Sequence, residues 1–328
     1  MAYESSPDRR SSRARARRHE HVSAPGAGRF APSPTGSLHL GNLRTALLAW
    51  LSARSARLRF LMRVEDLDEG RVRPRFEREQ LEDLRAIGLD WDGPVARQSE
   101  RRELYDAAID SLADRGLLYE CFCTRAEIRE AASAPHGPLA EGAYPGTCRA
   151  LPAARLRERR ASGRTPALRL RAGAARIDFE DRRLGPHGAV VDDFVVRRGD
   201  GVPAYNLAVV VDDAAQGVTE VVRGADLLET TPRQLLVARL LGLARPTHAH
   251  VPLLLGPDGS RLAKRHGAVT LRARAEAPAE VLGALAATLG LADVGEPVTP
   301  ALLLVRFDPA RIPREATRVS PATLEAEG

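Results

Sequence analysis

Arg29-Phe-Ala-Pro-Ser-Pro-Thr-Gly-Ser-Leu-His-Leu-Gly-Asn42 is the stretch from which the rest of the chain can be read. Its first residues, 29–33, read as a short strand running into the turn Pro32-Ser33-Pro34-Thr35-Gly36, and a helix should follow. Over residues 45–55, Leu47, Leu48, Trp50 and Leu51 recur at helical spacing, which sets Gly41 and Asn42 at or near the helix N-terminus. The first N–H groups of a helix have no partner within it and the dipole there is positive, so an anion, phosphate above all, is favoured. His39 and Asn42, three residues apart, can face one such anion, and Gly36 and Gly41 let backbone approach closely. A mostly apolar run at residues 58–64 fits a buried strand and ends in Glu65-Asp66-Leu67-Asp68. Strand, loop, helix, strand is one unit of an α/β fold built on a Rossmann-type parallel sheet.

Further elements extend this unit in both directions. Helices are expected over residues 76–87, stopped by Gly88, and from a Ser99 cap to Gly116, with Leu104, Ala108 and Leu112 on its inner face. From Cys121 to about Ala189 the chain is rich in Pro, Gly and Arg, the mark of an inserted module with shorter elements. Apolar strand character returns at residues 189–196 and 207–211, followed by helices over 231–241 and around 278–291. The expected organisation is a basic, disordered tail (1–27), a catalytic-type α/β unit in two halves (28–116 and 189–245), an α+β insertion between them (117–188), and a loop followed by a small, mainly helical region (246–328).

Composition bounds the function classes. At 328 residues the chain has room for about two domains. No stretch approaches the roughly 20 apolar residues that span a bilayer, and the charged N-terminus has no apolar core of the kind export signals carry. The net charge of +6 does not by itself indicate a nucleic-acid partner, since the first 28 residues hold six Arg against Glu4, Asp8 and Glu20 and supply +3 of it. Three cysteines do not make a disulfide framework in a chain this long, so a reducing cytoplasm is the expected location. Lys264 is the single lysine among 49 basic residues, which points to a task needing a compact ammonium rather than a planar guanidinium.

The opening stretch closely resembles the HIGH signature of class I aminoacyl-tRNA synthetases in its glutamyl form, with Asn42 where the last His of the signature usually stands. Arg261-Leu-Ala-Lys-Arg265, after Leu253-Leu-Leu-Gly-Pro-Asp-Gly-Ser260, is similar to the second signature, KMSKS; it departs at four of five positions and keeps the lysine. The resemblance covers residues 28–270. It implies that His39, Gly41, Asn42 and Lys264 bind ATP, supplied with Mg2+, and that His39, Asn42 and Lys264 stabilise its phosphates as a substrate carboxylate attacks the α-phosphorus. Arg29, Ala31, Ser33, Glu65, Tyr205 and Arg223 match the glutamate-contacting positions of that group. An acidic amino acid needs cationic partners for two carboxylates and an acidic partner for its ammonium, which fits the arginines and Glu65. Which arginine takes which carboxylate stays open at this point.

Cys121-Phe-Cys123 and Tyr144-Pro-Gly-Thr-Cys148 bring three thiols and a phenol into one module. Thiolates suit tetrahedral zinc, while three free buried cysteines are the alternative. The order Cys-x-Cys then Tyr-x-x-x-Cys is similar to the zinc site of glutamyl-queuosine tRNA(Asp) synthetases, which implies one structural Zn2+ held by Cys121, Cys123, Tyr144 and Cys148, with His136 in the spacer as the rival fourth ligand. Full-length glutamyl-tRNA synthetases continue into an anticodon-binding region where this resemblance stops. The shortened group is therefore expected: enzymes that activate L-glutamate with ATP and esterify it to the queuosine base of tRNA(Asp). The other readings are a truncated enzyme charging the 3′ end of tRNA(Glu), and a non-catalytic zinc- and RNA-binding paralogue. A monomer is expected.

Overall fold

A computed structural model describes residues 26–124, 126–128, 143–260, 262, 266 and 269–319. The basic tail up to residue 25, His136, Arg261, Lys264 and Arg265 lie outside the described residues.

The opening unit forms as its pattern dictates. Strand β1 (Ala27–Phe30) leads through the Pro-rich turn into helix α1 (Leu40–Ser55), and β2 (Arg59–Val64) returns beside β1 in parallel. Helix α2 (Pro74–Ala86), with Pro at its start, precedes the short parallel strand β3 (Ala96–Arg97). Helix α3 (Arg102–Asp114) begins later than expected. Ser99 does not cap it; its hydroxyl donates to Asp66 Oδ2 at 2.5 Å from within a preceding 3-10 turn. The buried face of α3 is Tyr105, Ile109 and Leu112, while Leu104 is 42% exposed, so its apolar stripe is rotated from the expected one.

Strand β4 (Leu118–Cys121), helix α4 (Ala153–Ala161), β5 (Ala167–Leu170), the hairpin β6 (Arg176–Asp181) and β7 (Gly185–Val190), and β8 (Val195–Arg197) follow. Strands β4, β5 and β8 form an antiparallel sheet of their own. The hairpin falls mostly within the 117–188 span read as insertion, but β6 pairs in parallel with β10 (Thr247–Val251), which pairs in parallel with β9 (Glu220–Gly224). A parallel bridge from Ala27 to Val218, with Thr219 N–H donating to Ala27 O at 2.8 Å, sets β9 beside β1. The resulting order across the molecule is β3-β2-β1-β9-β10-β6-β7, parallel except for the β7 edge.

Helix α5 (Tyr205–Ala215) occupies the apolar run 207–211 read from sequence as a strand. Leu207, Ala208, Val209, Val211, Asp212 and Asp213 of this helix are all buried, and a helix covered on most sides shows no 3.6-residue alternation. Helix α6 (Thr231–Leu241) ends on Gly242 in the left-handed conformation at φ 67°. Strand β11 (Leu254–Leu255), helices α7 (Pro278–Ala287) and α8 (Pro300–Arg306), and β12 (Thr317–Arg318) complete the described chain, with β11 and β12 parallel.

One apolar core joins α1 and β2 to α7 and α8; a second lies under α3, α5 and α6. Arg44 of α1, 1% exposed, reaches through the first core to the carbonyls of Pro252 and Thr288 and to Thr317 Oγ1.

Candidate active site

The N-terminus of α1 is closed by a reciprocal pair. His39 Nδ1 accepts from the Asn42 backbone N–H at 3.2 Å, and Asn42 Oδ1 accepts from the His39 backbone N–H at 3.2 Å. This fixes polarity. With Nδ1 accepting, the neutral ring carries its proton on Nε2, and with Oδ1 engaged, Asn42 presents its amide NH2 as donor. A Cβ at Gly41 would stand 2.9 Å from His39 Cε1, so only glycine leaves the imidazole this position. Gln80 pins the preceding turn by donating to the carbonyls of Ser33 and Gly36 at 3.0 and 2.7 Å.

Above this helix end opens a cavity of about 450 Å³. Its wall gathers every described residue expected to bind ATP or glutamate: His39, Gly41 and Asn42 from the helix end; Arg29, Ala31 and Ser33 from β1 and its turn; Glu65 after β2; Tyr205 at the start of α5; Arg223 from β9. Lys264 falls outside the described residues.

Two buried arginines face this cavity, each held from behind. Arg29 donates through Nε to Asp213 Oδ1 at 3.4 Å and through Nη1 to Val222 O at 3.2 Å. Arg223 donates through Nε to His250 Nε2 (3.0 Å), through Nη1 to Gln234 Oε1 (2.7 Å), and through Nη2 to Thr231 Oγ1 (2.8 Å) and Leu227 O (3.3 Å). Burial pulls the Arg223 guanidinium down from its ordinary value, yet an arginine at neutral pH remains charged.

Glu65 is an acidic side chain of the cavity wall. Burial pushes its carboxyl up to about 7, with Asp213 and Asp212 adding to the rise and Arg63 and Arg29 opposing it. Arg63 is fully buried beneath it, paired with Asp213 at 2.7 Å and Glu65 at 3.6 Å. Sequence reading missed Arg63, Asp213, Gln234, Thr231, Asp181 and His250. Alternation in Thr-His-Ala-His-Val, which puts His248 and His250 on one face of a strand, was the available signal for the last.

Away from the cavity, the Sγ atoms of Cys121, Cys123 and Cys148 lie within 4.8 Å of one another, with 3.5 Å between Cys123 and Cys148. The Tyr144 hydroxyl stands 3.5 Å from Cys121 Sγ and 3.7 Å from Cys123 Sγ. Tetrahedral zinc with Zn–S near 2.3 Å places its donors roughly 3.8 Å apart, so the donor set fits such an ion. Burial pushes the Cys123 thiol up to about 12, with the neighbouring thiols adding to the rise, and a bound dication would reverse this. The backbone N–H of Tyr144 donates to Asp192, which also pairs with Arg233 of α6 and so ties the cysteine module to the catalytic unit.

A Rossmann-type sheet with a capped His-x-x-Asn helix end beneath a cavity of buried arginines defines the catalytic domain of a class I aminoacyl-tRNA synthetase, a ligase. Residues 27–290 match the family described as tRNA synthetases class I (E and Q), catalytic domain. A Glutamyl-Q tRNA(Asp) synthetase from Nocardia farcinica is 63% identical over 293 residues, 88% of this chain and 92% of that one. Another from Symbiobacterium thermophilum is 53% identical over 91% of this chain and 97% of that one. Among solved structures, a glutamate tRNA ligase from Elizabethkingia meningosepticum in complex with its amino acid aligns with a TM-score of 0.77 at 28% identity, over 92% of this chain and 68% of that one. The chain belongs to the class I tRNA synthetases of the glutamyl and glutaminyl type, and within them to the glutamyl-Q tRNA(Asp) synthetase family.

Proposed function

We propose that this enzyme joins L-glutamate to ATP as a bound glutamyl-adenylate and then transfers the glutamyl group to the queuosine base in the anticodon of tRNA(Asp). The observation that carries the first step is the convergence of Arg29, Arg223 and Glu65 on one cavity with the α1 N-terminus as its floor. Two buried guanidiniums match the two carboxylates of glutamate, and Glu65 matches its ammonium. Glutamine would turn an amide NH2 toward those donors and leave them unpaired.

In the first step a glutamate α-carboxylate oxygen attacks the α-phosphorus as the bond to the β-phosphate breaks and pyrophosphate leaves. His39 Nε2–H and the Asn42 amide donate to the phosphates, and the α1 N-terminus adds its positive end. Lys264 is assigned the same phosphates by its place in the signature loop. In the second step a hydroxyl of the modified base attacks the glutamyl carbonyl carbon and AMP leaves. The queuosine target is supported by the names of relatives up to 63% identical. Cys121, Cys123, Tyr144 and Cys148 would hold one structural zinc, which supplies a crosslink to the module.

Glutamate-dependent ATP–pyrophosphate exchange, measured without tRNA, tests the reading. Exchange is expected with wild type and lost in Lys264→Ala, and acylation of tRNA(Asp) is expected only when the transcript carries queuosine. Folded wild-type protein that gives no exchange, or acylates the 3′ end of tRNA(Glu) instead, would overturn it.

A further inference from the structure

Arg223 and two buried residues outside the cavity wall, one on each of the next two strands, form a chain of hydrogen bonds. Asp181 ends β6, His250 lies on β10, and Arg223 lies on β9 directly opposite His250 in the parallel register. Their exposures are 1%, 0% and 5%. Asp181 Oδ2 stands 2.6 Å from His250 Nδ1, and His250 Nε2 stands 3.0 Å from Arg223 Nε.

The donors leave one arrangement. Arg223 has five N–H groups and no acceptor, so His250 Nε2 must offer its lone pair. The ring proton then sits on Nδ1 and is donated to the carboxylate of Asp181. That carboxylate is itself fixed, since its Oδ1 accepts the backbone N–H groups of Arg183 and Leu184 at 3.0 Å each. His248 stacks on His250 at 6.0 Å between centroids and 6° between planes, which sets the ring orientation. Gln234, Thr231 and Leu227 take three more donors of Arg223, with Thr231 Oγ1 also 3.3 Å from His250 Nε2, so four of the five N–H groups are engaged and one, on Nη1, is left for a ligand.

We infer that Asp181 and His250 are positioning residues for glutamate recognition: by fixing the imidazole as the Nδ1–H tautomer they orient the Arg223 guanidinium so that it presents a single N–H to the substrate carboxylate. Arg29, with only Nε and one Nη1 donor engaged by protein, keeps the paired donors that a bidentate carboxylate contact requires. Arg223 thus acts as an alignment contact and Arg29 as the main clamp. This inference rests on the proposal that Arg223 contacts glutamate. The charged and titratable groups facing His250 are Asp181, Arg223, His248 and His187.

Asp181→Asn is the nearly isosteric test. Its amide NH2 facing Nδ1 forces the ring proton to Nε2, which then points a donor at the Arg223 Nε–H. His250→Leu removes the relay, while His250→Gln can accept from Arg223 with its oxygen and donate to Asp181 with its nitrogen. In exchange assays Asp181→Asn and His250→Leu are expected to raise the KM for glutamate at least tenfold and leave the KM for ATP within about twofold. His250→Gln is expected to stay within about threefold of wild type for both. Long-range 15N correlation spectra, with the His250 signal assigned by its loss in His250→Gln, should show an Nδ1–H tautomer in wild type and an Nε2–H tautomer in Asp181→Asn. An Nε2–H tautomer in wild type overturns the relay, as does an unchanged glutamate KM in Asp181→Asn. Parallel increases in both KM values with a fall in thermal midpoint would also overturn it, as a merely structural effect. If wild type gives no glutamate-dependent exchange, the functional reading fails, and the tautomer decides the relay by itself.

Discussion

Glu65 is held between opposing demands. Its side chain is only 12% exposed, so burial favours the neutral acid, while Arg63 and Arg29 favour the carboxylate; burial prevails, and the carboxyl titrates near 7 rather than at its ordinary 4.5. A folded-state value above the unfolded one means that the native state binds the extra proton. This contribution is complete below about 4.5 and is lost as pH rises through about 7. Glu65→Gln removes it. In urea unfolding, wild type should therefore lose up to roughly 3 kcal/mol relative to Glu65→Gln between pH 4.5 and pH 8, and saturating glutamate should shrink the difference by stabilising the carboxylate. Superimposable pH profiles for the two proteins would contradict this. The same variant should raise the glutamate KM at least tenfold, as loss of the ammonium partner in a buried site is worth more than about 1.4 kcal/mol.

At the scale of the element, the α1 N-terminus does two things with the same atoms. His39 and Asn42 stabilise the helix through their acceptors, and both line the cavity. Asn42→Asp keeps the acceptor that closes the cap and adds a charge the helix dipole tolerates, but it removes the amide donor and sets an anion against phosphate. Its thermal midpoint should stay within about 2 °C of wild type while the KM for ATP rises at least tenfold; an equal loss of both would mean that the cap, not the donor, is what Asn42 provides. This element was legible in sequence because glycines and prolines punctuate its start and a run of good helix formers, Leu and Ala, follows, although residues 46–51 are buried all round it. Helix α5 was not, because its run Leu207-Ala-Val-Val-Val211 is rich in β-branched residues and has no side-chain cap at its start, and α3 was found with its inner face partly turned, since Leu112 is buried as expected but Tyr105 rather than Leu104 points inward. Asp181 and His250 are 69 residues apart and meet only because β6 joins β10 in the central sheet, a pairing that no local pattern announces. The cavity residues that sequence did locate were grouped by resemblance; singly, each was one arginine or glutamate among many.

At the scale of the whole molecule, the cysteine module is an antiparallel sheet that packs Leu170 and Val196 into the core under α3, α5 and α6 and is tied to the catalytic unit by polar contacts, Asp192 between Tyr144 and Arg233 among them. None of Cys121, Cys123, Tyr144 and Cys148 lines the cavity. Protein purified without chelator should contain about one zinc per chain, and its removal should lower the thermal midpoint by roughly 5–10 °C while glutamate-dependent exchange below that midpoint falls by less than about threefold. Metal-free protein of unchanged midpoint would refute a structural ion. The described residues contain no helix long and apolar enough to cross a membrane.

Arg44 gives this architecture a mechanical asymmetry. A single buried side chain rivets the helix beneath the cavity to residues 252, 288 and 317, and the core it passes through is continuous with α7 and α8. That side of the cleft is the fixed jaw of a vice, backed by the apolar core that α1 shares with α7 and α8. Any movement that opens or closes the cleft then falls to the opposing jaw.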